Sequence, residues 1–218
     1  MKPAFIYCYD AYCGWCYGFS PVIRKLSDQY KNSFDFEVYS GGMILPEKPR
    51  HIGLMAGYIQ KAYKNVEDLS GVKFGEDYLW HIFNPTESDW HPDSLKPAIA
   101  LCIFKEYYPD MQVLFAYELQ HALHMEGRDL CDNEAYRHLL ERYHIPADAF
   151  YDKLGAAKYE EQARYEFAIV KQLRVTGYPT LLLQTEENKF YMVSRGFTNY
   201  DSVEATLSSI LKELNLNN

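Results

Sequence analysis

Two cysteines separated by two residues lie in the segment Tyr9-Asp10-Ala11-Tyr12-Cys13-Gly14-Trp15-Cys16-Tyr17-Gly18-Phe19-Ser20-Pro21. An apolar run, Ala4–Tyr9, comes before this pair, and apolar residues at helical spacing follow it as far as Tyr30. The pattern predicts a strand that leads directly into a helix. The first turn of a helix carries free N–H groups and the positive end of its dipole, which favour a thiolate. We therefore expect Cys13 to be a nucleophile and Cys16, one turn later, to close or resolve a disulfide.

A zinc site is the main alternative for two cysteines at this spacing. Structural zinc takes four ligands, usually from a second cysteine pair or from two histidines. Cys8 belongs to the predicted strand, Cys102 and Cys131 stand alone, and the closest histidine pair is His121 with His124. We therefore favour redox chemistry over zinc and assign these two histidines no role. The three remaining cysteines are expected to be buried apolar thiols.

A second motif lies far downstream, in the segment Val175-Thr176-Gly177-Tyr178-Pro179-Thr180. Three leucines follow it, which indicates a loop that runs into a strand. The Tyr178–Pro179 bond is a candidate for the cis form, because cis peptides are found almost only before proline. Taken alone, this motif also fits an ordinary turn proline that opens a strand.

Together, the two motifs resemble the active-site segments of the thioredoxin superfamily, and within it the DsbA-like branch. Residues 13–19 and 177–180 carry the resemblance, and the most similar subgroup is that of the predicted protein-disulfide isomerases. The resemblance implies that Pro179 lies beside the sulfurs of Cys13 and Cys16 as a third catalytic residue. It also implies that the backbone of Tyr178 pairs with an extended substrate.

Four further residues are candidates for tuning the site or binding the substrate. Gly14 and Trp15 separate the cysteines and influence the relative stability of thiolate and disulfide. Trp15 and Tyr178 either present aromatic faces to a substrate or simply pack against the protein. Asp10 lies three residues before Cys13. Its carboxylate either opposes the thiolate and moves a proton, or bonds its own backbone in a turn.

The rest of the pattern gives the order strand–helix–strand, helices, strand–strand–helix. The predicted strands are residues 4–9, 34–39, 181–184 and 190–193, and the predicted helices are 14–30, 52–64, 95–107, 111–125, 133–143, 156–173 and 200–214, with a short one near Pro146. With the resemblance, this order implies an α/β thioredoxin-like fold, a central mixed sheet flanked by helices with a large all-helical insertion. Residues 1–48 and 175–218 would form the thioredoxin-like domain and 49–174 the insertion. Met43 is expected to pack in the core rather than line a substrate groove.

Length and charge limit the possible functions. The chain has 218 residues, which is long enough to build a sizeable core. Its net charge is −8, so binding to nucleic acid or to an anionic membrane is disfavoured. No apolar run approaches the roughly 20 residues that span a bilayer. The segment Met1-Lys2-Pro3 leads straight into a strand without a leader pattern, and the number of cysteines is odd. We therefore expect a cytoplasmic, reducing location.

The expected function is thiol–disulfide oxidoreduction, in the reductase or isomerase direction. Its partners would be protein or small-molecule thiols and disulfides, with a thioredoxin- or glutathione-type redox partner. We expect no metal and no cofactor beyond the Cys13–Cys16 disulfide, with glutathione as a possible co-substrate. One alternative resembles kappa-type glutathione transferases and 2-hydroxychromene-2-carboxylate isomerases, which use a hydroxyl residue where this chain has Cys13. Another is a non-catalytic thiol or zinc-binding module. The sequence does not indicate an oligomeric state.

Overall fold

A four-stranded mixed sheet forms the centre of the protein. The computed structural model describes residues 2–45, 47–48 and 50–214. The strands are β1 (Ala4–Tyr9), β2 (Asp35–Ser40), β3 (Thr180–Glu186) and β4 (Lys189–Arg195), and their order in the sheet is β2-β1-β3-β4. β1 pairs parallel with β2 and antiparallel with β3, which pairs antiparallel with β4. β1 is therefore an interior strand, in agreement with its apolar sequence.

Helices flank the sheet and form the insertion. They are α1 (Gly14–Tyr30), α2 (Gly53–Ser70), α3 (Glu76–Phe83), α4 (Leu95–Tyr107), α5 (Gln112–His124), α6 (Arg137–Arg142), α7 (Ala147–Leu154), α8 (Ala157–Gln172) and α9 (Tyr200–Glu213). α1 connects β1 to β2, α2 to α8 lie between β2 and β3, and α9 follows β4. The predicted mixed α/β fold with a helical insertion is confirmed. Among the described residues, none of the helices is both long and apolar enough to span a bilayer.

Most of the predicted elements are present, but several of their ends differ. β1, α1 and α4 have the predicted bounds. α2 extends six residues beyond its predicted end and stops before Gly71, whose φ of 80° suits a glycine. α3 was not predicted as a separate helix. The single helix predicted for residues 133–143 is a 3₁₀ turn, Asn133–Tyr136, followed by α6.

Pro21 lies inside α1 without ending the helix. Proline has no N–H group, so it cannot bond the carbonyl of Tyr17 four residues earlier. The hydroxyl of Ser20 donates a hydrogen bond to that carbonyl at 2.7 Å. The side chain therefore supplies the donor that the proline lacks, and α1 continues to Tyr30.

The insertion covers the outer edge of β2. Gln112 Oε1 accepts the N–H of Val38 at 3.0 Å, and Glu166 Oε2 accepts that of Ser40 at 3.1 Å. Lys105 donates to the carbonyl of Val38 and to Glu166 Oε1, the latter at 2.6 Å. The side chains of this ion pair are only 11% and 5% exposed. Side chains of α4, α5 and α8 thus bond edge groups that would otherwise be open to another strand.

We expect Glu166→Ala to lower the free energy of unfolding by roughly 3–5 kcal/mol, because it leaves Lys105 buried without its partner. Chemical denaturation followed by circular dichroism measures this change. Glu160→Ala is the matched control, since Glu160 is in the same helix and pairs with Arg164 at the exposed surface. Glu160→Ala should lower the free energy of unfolding by only about 0.5 kcal/mol. Equal losses for the two variants would contradict the role of the buried pair.

Candidate active site

Cys13 is the N-cap residue of α1. Its backbone is extended (φ −82°, ψ 107°), and its carbonyl accepts the N–H groups of Cys16 at 2.9 Å and Tyr17 at 3.1 Å. The N–H of Cys16 also lies 3.4 Å from the sulfur of Cys13. The sulfur therefore occupies the place where a capping oxygen usually bonds the first turn. A negative charge on this sulfur would meet the free N–H groups of the helix start.

The two thiols of the pair differ in their access to solvent. Cys13 is 8% exposed and Cys16 has no exposed surface. Burial raises the pKa of Cys16 well above that of a free thiol, and its hydrogen bond with Cys13 adds to this shift. Both residues are free thiols in this structure. Cys13 is therefore the more accessible sulfur of the pair.

The downstream motif lies directly against Cys13, although 165 positions separate the two in sequence. The thiol of Cys13 donates to the carbonyl of Tyr178 at 3.6 Å. The Tyr178–Pro179 peptide bond is cis. The carbonyl of Pro179 accepts the N–H of Gly196 at 2.7 Å, which fixes this loop to the end of β4. The fold thus brings together the three residues that the resemblance assigns to catalysis.

The side chain of Tyr178 is fixed against Gly41. Its hydroxyl donates to the carbonyl of Gly41 at 2.9 Å, and burial raises its pKa to about 12. A Cβ atom added at Gly41 would lie only 2.1 Å from the Tyr178 ring. Glycine at this position therefore allows the ring to lie beside the active site.

Asp10 holds three separate segments together next to the cysteine pair. It is 1% exposed. Its Oδ1 accepts the N–H of Tyr12 at 3.0 Å and the hydroxyl of Ser94 at 2.9 Å, and Oδ2 accepts the N–H of Met43 at 2.7 Å. Burial raises the pKa of this carboxyl, and the three hydrogen bonds oppose the rise. The turn hydrogen bond that the sequence suggested is the one from the N–H of Tyr12. The bonds from Met43 and Ser94 are additional and join distant parts of the chain.

A cavity of about 410 Å³ opens beside Cys13. We call it the Cys13 cavity, and its lining residues are Tyr12, Cys13, Gly14, Trp15, Met43, Leu54, Met55, Tyr58, Ile59, Ala62, Tyr63, Val66, Phe74, Tyr78 and Tyr178. Met43 is 44% exposed at this cavity, so its expected place in the core was wrong. Its backbone is tied to Asp10, which holds it at the site.

Gly14 and Trp15 both face this cavity. Trp15 also packs against Phe197, with ring centroids 5.7 Å apart, so the same side chain both packs against the protein and lines the cavity. A Cβ atom at Gly14 would lie 3.5 Å from the ring of Phe74, which comes from the insertion. Phe74 and α2 were not predicted to be part of the site. The spacing of Met55, Ile59, Tyr63 and Val66, at intervals of four and three, was the available signal for an apolar helix face.

The other three cysteines lie apart from the redox pair. Cys8 and Cys102 are buried, as expected, and burial raises the pKa of both, that of Cys8 to about 12. Cys131 is only partly buried and has polar neighbours, since its sulfur is 3.4 Å from the hydroxyl of Tyr12 and 3.4 Å from the carbonyl of His91. Its expected apolar setting was therefore wrong. No three His, Cys, Asp or Glu side chains converge on a possible metal position in the described part of the chain.

Comparison with known proteins gives one family match and several similar solved structures. The model of the DSBA-like thioredoxin domain family matches residues 6–208. The structure is similar to that of a predicted protein disulfide isomerase from Nitrosomonas europaea (19% identity, 98% of this chain and 99% of that one, TM-score 0.81). It is also similar to the structure of the cytosolic disulfide reductase DsbM from Pseudomonas aeruginosa with GSH (25% identity, 96% of this chain and 99% of that one, TM-score 0.68). A third similar structure is that of a 2-hydroxychromene-2-carboxylate isomerase (11% identity, 99% of this chain and 100% of that one, TM-score 0.64). The search of curated proteins gave no match.

Alkylation of the reduced protein near neutral pH should modify Cys13 well before Cys16. Cys16 has no exposed surface, and its raised pKa keeps it a protonated, unreactive thiol until the pH exceeds the usual range for cysteine. Peptide mapping by mass spectrometry over a time course measures both rates. Cys102 is an internal reference for a protected thiol, and all cysteines should react after denaturation. Equal rates at Cys13 and Cys16 would contradict this assignment.

Gly41→Ala should displace the ring of Tyr178 and lower the free energy of unfolding by about 1–3 kcal/mol, because the new methyl group overlaps that ring. The matched control is Gly57→Ala in α2, where an added Cβ meets nothing within 4 Å. That control should be neutral or slightly stabilising, since alanine favours a helix. Denaturation curves measure the free energy of unfolding of both variants. An unchanged value for Gly41→Ala would contradict the prediction, because the ring of Tyr178 would then have moved without loss of stability.

Proposed function

This chain belongs to the DSBA-like thioredoxin domain family, and we propose that it is a thiol–disulfide oxidoreductase that acts through Cys13 and Cys16. Proteins of this family catalyse the exchange of thiols and disulfides. One observation carries the assignment to these residues. The sulfur of Cys13 caps a helix, accepts the N–H of Cys16 and lies 3.6 Å from the carbonyl of Tyr178.

The proposed reaction has two exchange steps. The thiolate of Cys13 attacks a substrate disulfide, forms a new S–S bond with one substrate sulfur, and releases the other as a thiolate that takes up a proton. Cys16 then loses its proton and attacks the sulfur of Cys13. The mixed disulfide breaks, the second substrate thiol leaves, and the Cys13–Cys16 disulfide remains. Two electrons have passed from the protein dithiol to the substrate.

The surrounding residues support these steps in different ways. The N–H of Cys16 and the start of α1 stabilise charge on Cys13. Tyr178 offers its backbone to an extended substrate beside the sulfur, and Pro179 presents no N–H group there. Asp10 already accepts three hydrogen bonds. We therefore assign it the positioning of the turn before Cys13 rather than proton transfer.

We propose the reductase or isomerase direction and a cytoplasmic location. A reducing compartment keeps the protein dithiol reduced, so mass action favours transfer of electrons to the substrate. An external thiol of the thioredoxin or glutathione type would regenerate the dithiol. The DsbM structure with GSH supports glutathione as a reductant for this chain.

A glutathione-dependent transferase or isomerase remains the second candidate. The support for it is the shared fold of the 2-hydroxychromene-2-carboxylate isomerase, at 11% identity. The paired free thiols at the helix start favour disulfide exchange, because a transferase of that type needs only one group to activate glutathione.

Cys16→Ser should accumulate mixed disulfides with substrate, whereas Cys13→Ser should accumulate none. The first variant keeps the attacking sulfur but lacks the thiol that releases the product, and the second cannot attack at all. Both are matched exchanges of sulfur for oxygen within the same motif. Acid quenching, alkylation and non-reducing electrophoresis with mass spectrometry detect the adducts. Equal trapping by the two variants would contradict the roles assigned here.

A further inference from the structure

Resting on the function proposed above, we propose that Arg195 binds an acidic side chain of the peptide that carries the target disulfide. The preferred substrates are then peptide disulfides with an Asp or Glu two residues from the cysteine that Cys13 attacks. Arg195 is the last residue of β4, and it is exposed to solvent. Its contacts place it at the loop that contains Tyr178 and Pro179.

Three contacts fix Arg195 beside this loop. Its Cα pairs with that of Thr180 across β3 and β4. Its Nη2 donates a hydrogen bond to Oγ1 of Thr176. The next residue, Gly196, donates its N–H to the carbonyl of Pro179 at 2.7 Å. The guanidinium group is therefore held at the start of the loop.

The loop brings this guanidinium group close to the sulfur of Cys13. Thr176 is two residues from Tyr178, so their Cα atoms are at most roughly 7 Å apart. The carbonyl of Tyr178 lies 3.6 Å from the sulfur of Cys13. An extended peptide that runs along the same loop also advances by roughly 3.3 Å per residue. A side chain two residues from the substrate cysteine is therefore within reach of Arg195.

The space beside the loop is open to a substrate. A Cβ atom added at Gly177, between Thr176 and Tyr178, would meet no heavy atom within 4 Å beyond its own chain neighbours. Thr176 is itself exposed. At Gly41, by contrast, an added Cβ would lie only 2.1 Å from the ring of Tyr178. The loop therefore leaves room for a peptide next to the guanidinium group, on a side that the Tyr178 ring does not fill.

The guanidinium group of Arg195 is free to bind a carboxylate. Within the residues that the structure describes, its hydrogen-bond partner is the neutral hydroxyl of Thr176, and no carboxylate lies within ion-pair distance. Most of its N–H donors therefore remain available, and their planar fork matches the two oxygens of a carboxylate. An exposed arginine of this kind suits recognition of an acidic side chain better than a lysine would.

The two segments that meet at this loop are rich in positive charge. Residues 171–180 contain Lys171 and Arg174 but no Asp or Glu, and residues 194–200 contain Arg195 as their one charged residue. Arg174 has a φ of 56° just after α8, where glycine is usual. A larger residue kept in such a conformation indicates a use for its side chain. The net charge of −8 would otherwise repel an acidic peptide, so this loop is the favourable place for one.

The test uses synthetic peptide disulfides that differ only in an Asp or an Asn. The variable residue lies two positions before the cysteine in one pair of peptides and two positions after it in a second pair. With the wild-type protein at low ionic strength, we expect kcat/KM to be about fivefold higher for the Asp peptide in at least one pair. In 1 M salt, where the Debye length is about 3 Å, this ratio should fall towards one.

Variants at Arg195 separate the charge of the side chain from its shape. Arg195→Gln should bring the Asp-to-Asn ratio to about one, and Arg195→Glu should invert it, because like charges repel. Arg195→Lys keeps the charge without the planar fork, so it should retain part of the ratio. Arg164→Gln is the matched control, since it removes one positive charge from a surface ion pair with Glu160 in α8. This control should keep the wild-type ratio, and circular dichroism verifies that each variant is folded.

Three results would overturn the inference: equal kcat/KM for Asp and Asn in both pairs, a ratio that Arg195→Gln leaves intact, or the same fall in the ratio for Arg164→Gln. The uncharged substrate 2-hydroxyethyl disulfide separates this inference from the proposed function. If the wild type reduces neither this compound nor the Asn peptides, the oxidoreductase function itself fails. If it reduces them without a preference for Asp, only the role of Arg195 fails.

Discussion

The buried carboxylate of Asp10 is the interaction on which the site depends. It accepts hydrogen bonds from the turn before Cys13, from the loop at Met43 and from Ser94 at the start of α4. The first segment follows β1, the second follows β2, and Ser94 belongs to the helical insertion between β2 and β3. Burying a carboxylate is costly unless its lone pairs are satisfied, so this group specifies one arrangement of the three segments. The direction in which α1 begins, and with it the position of Cys13, follows from that arrangement.

Local signals in the sequence were sufficient to predict β1, α1 and the position of the cysteine pair at their junction. The change from an apolar run to helical spacing at Cys13 gave the bounds of β1 and α1. The contact between Tyr178 and Cys13 spans 165 positions, and it was expected only because the two motifs together resemble a known family. No periodicity within either segment predicts that contact, since it arises from the pairing of β3 with β1.

The features that the sequence analysis missed depend on tertiary packing. Phe74 comes from a short connection between α2 and α3, and its place over Gly14 follows from how the insertion docks on α1. Met43 is an apolar residue, and hydropathy alone placed it in the core, whereas its backbone bond to Asp10 keeps it at the cavity. Cys131 has polar neighbours only because Tyr12 and His91 come from distant parts of the chain. The insertion thus has two effects: it covers the edge of β2 and supplies most of the wall of the Cys13 cavity.

The hydrogen bond from the hydroxyl of Ser20 to the carbonyl of Tyr17 makes the substitutions that the chain tolerates at Ser20 and Pro21 depend on each other. The proline fixes the backbone within the first half of α1, and the hydroxyl of Ser20 supplies the hydrogen bond that the missing N–H of the proline cannot make. Losing the serine first would leave a buried carbonyl unsatisfied, whereas losing the proline first would restore the ordinary helical bond and make the serine dispensable. Descendants of this chain are therefore expected to replace Pro21 before Ser20, which gives the pair a preferred order of change.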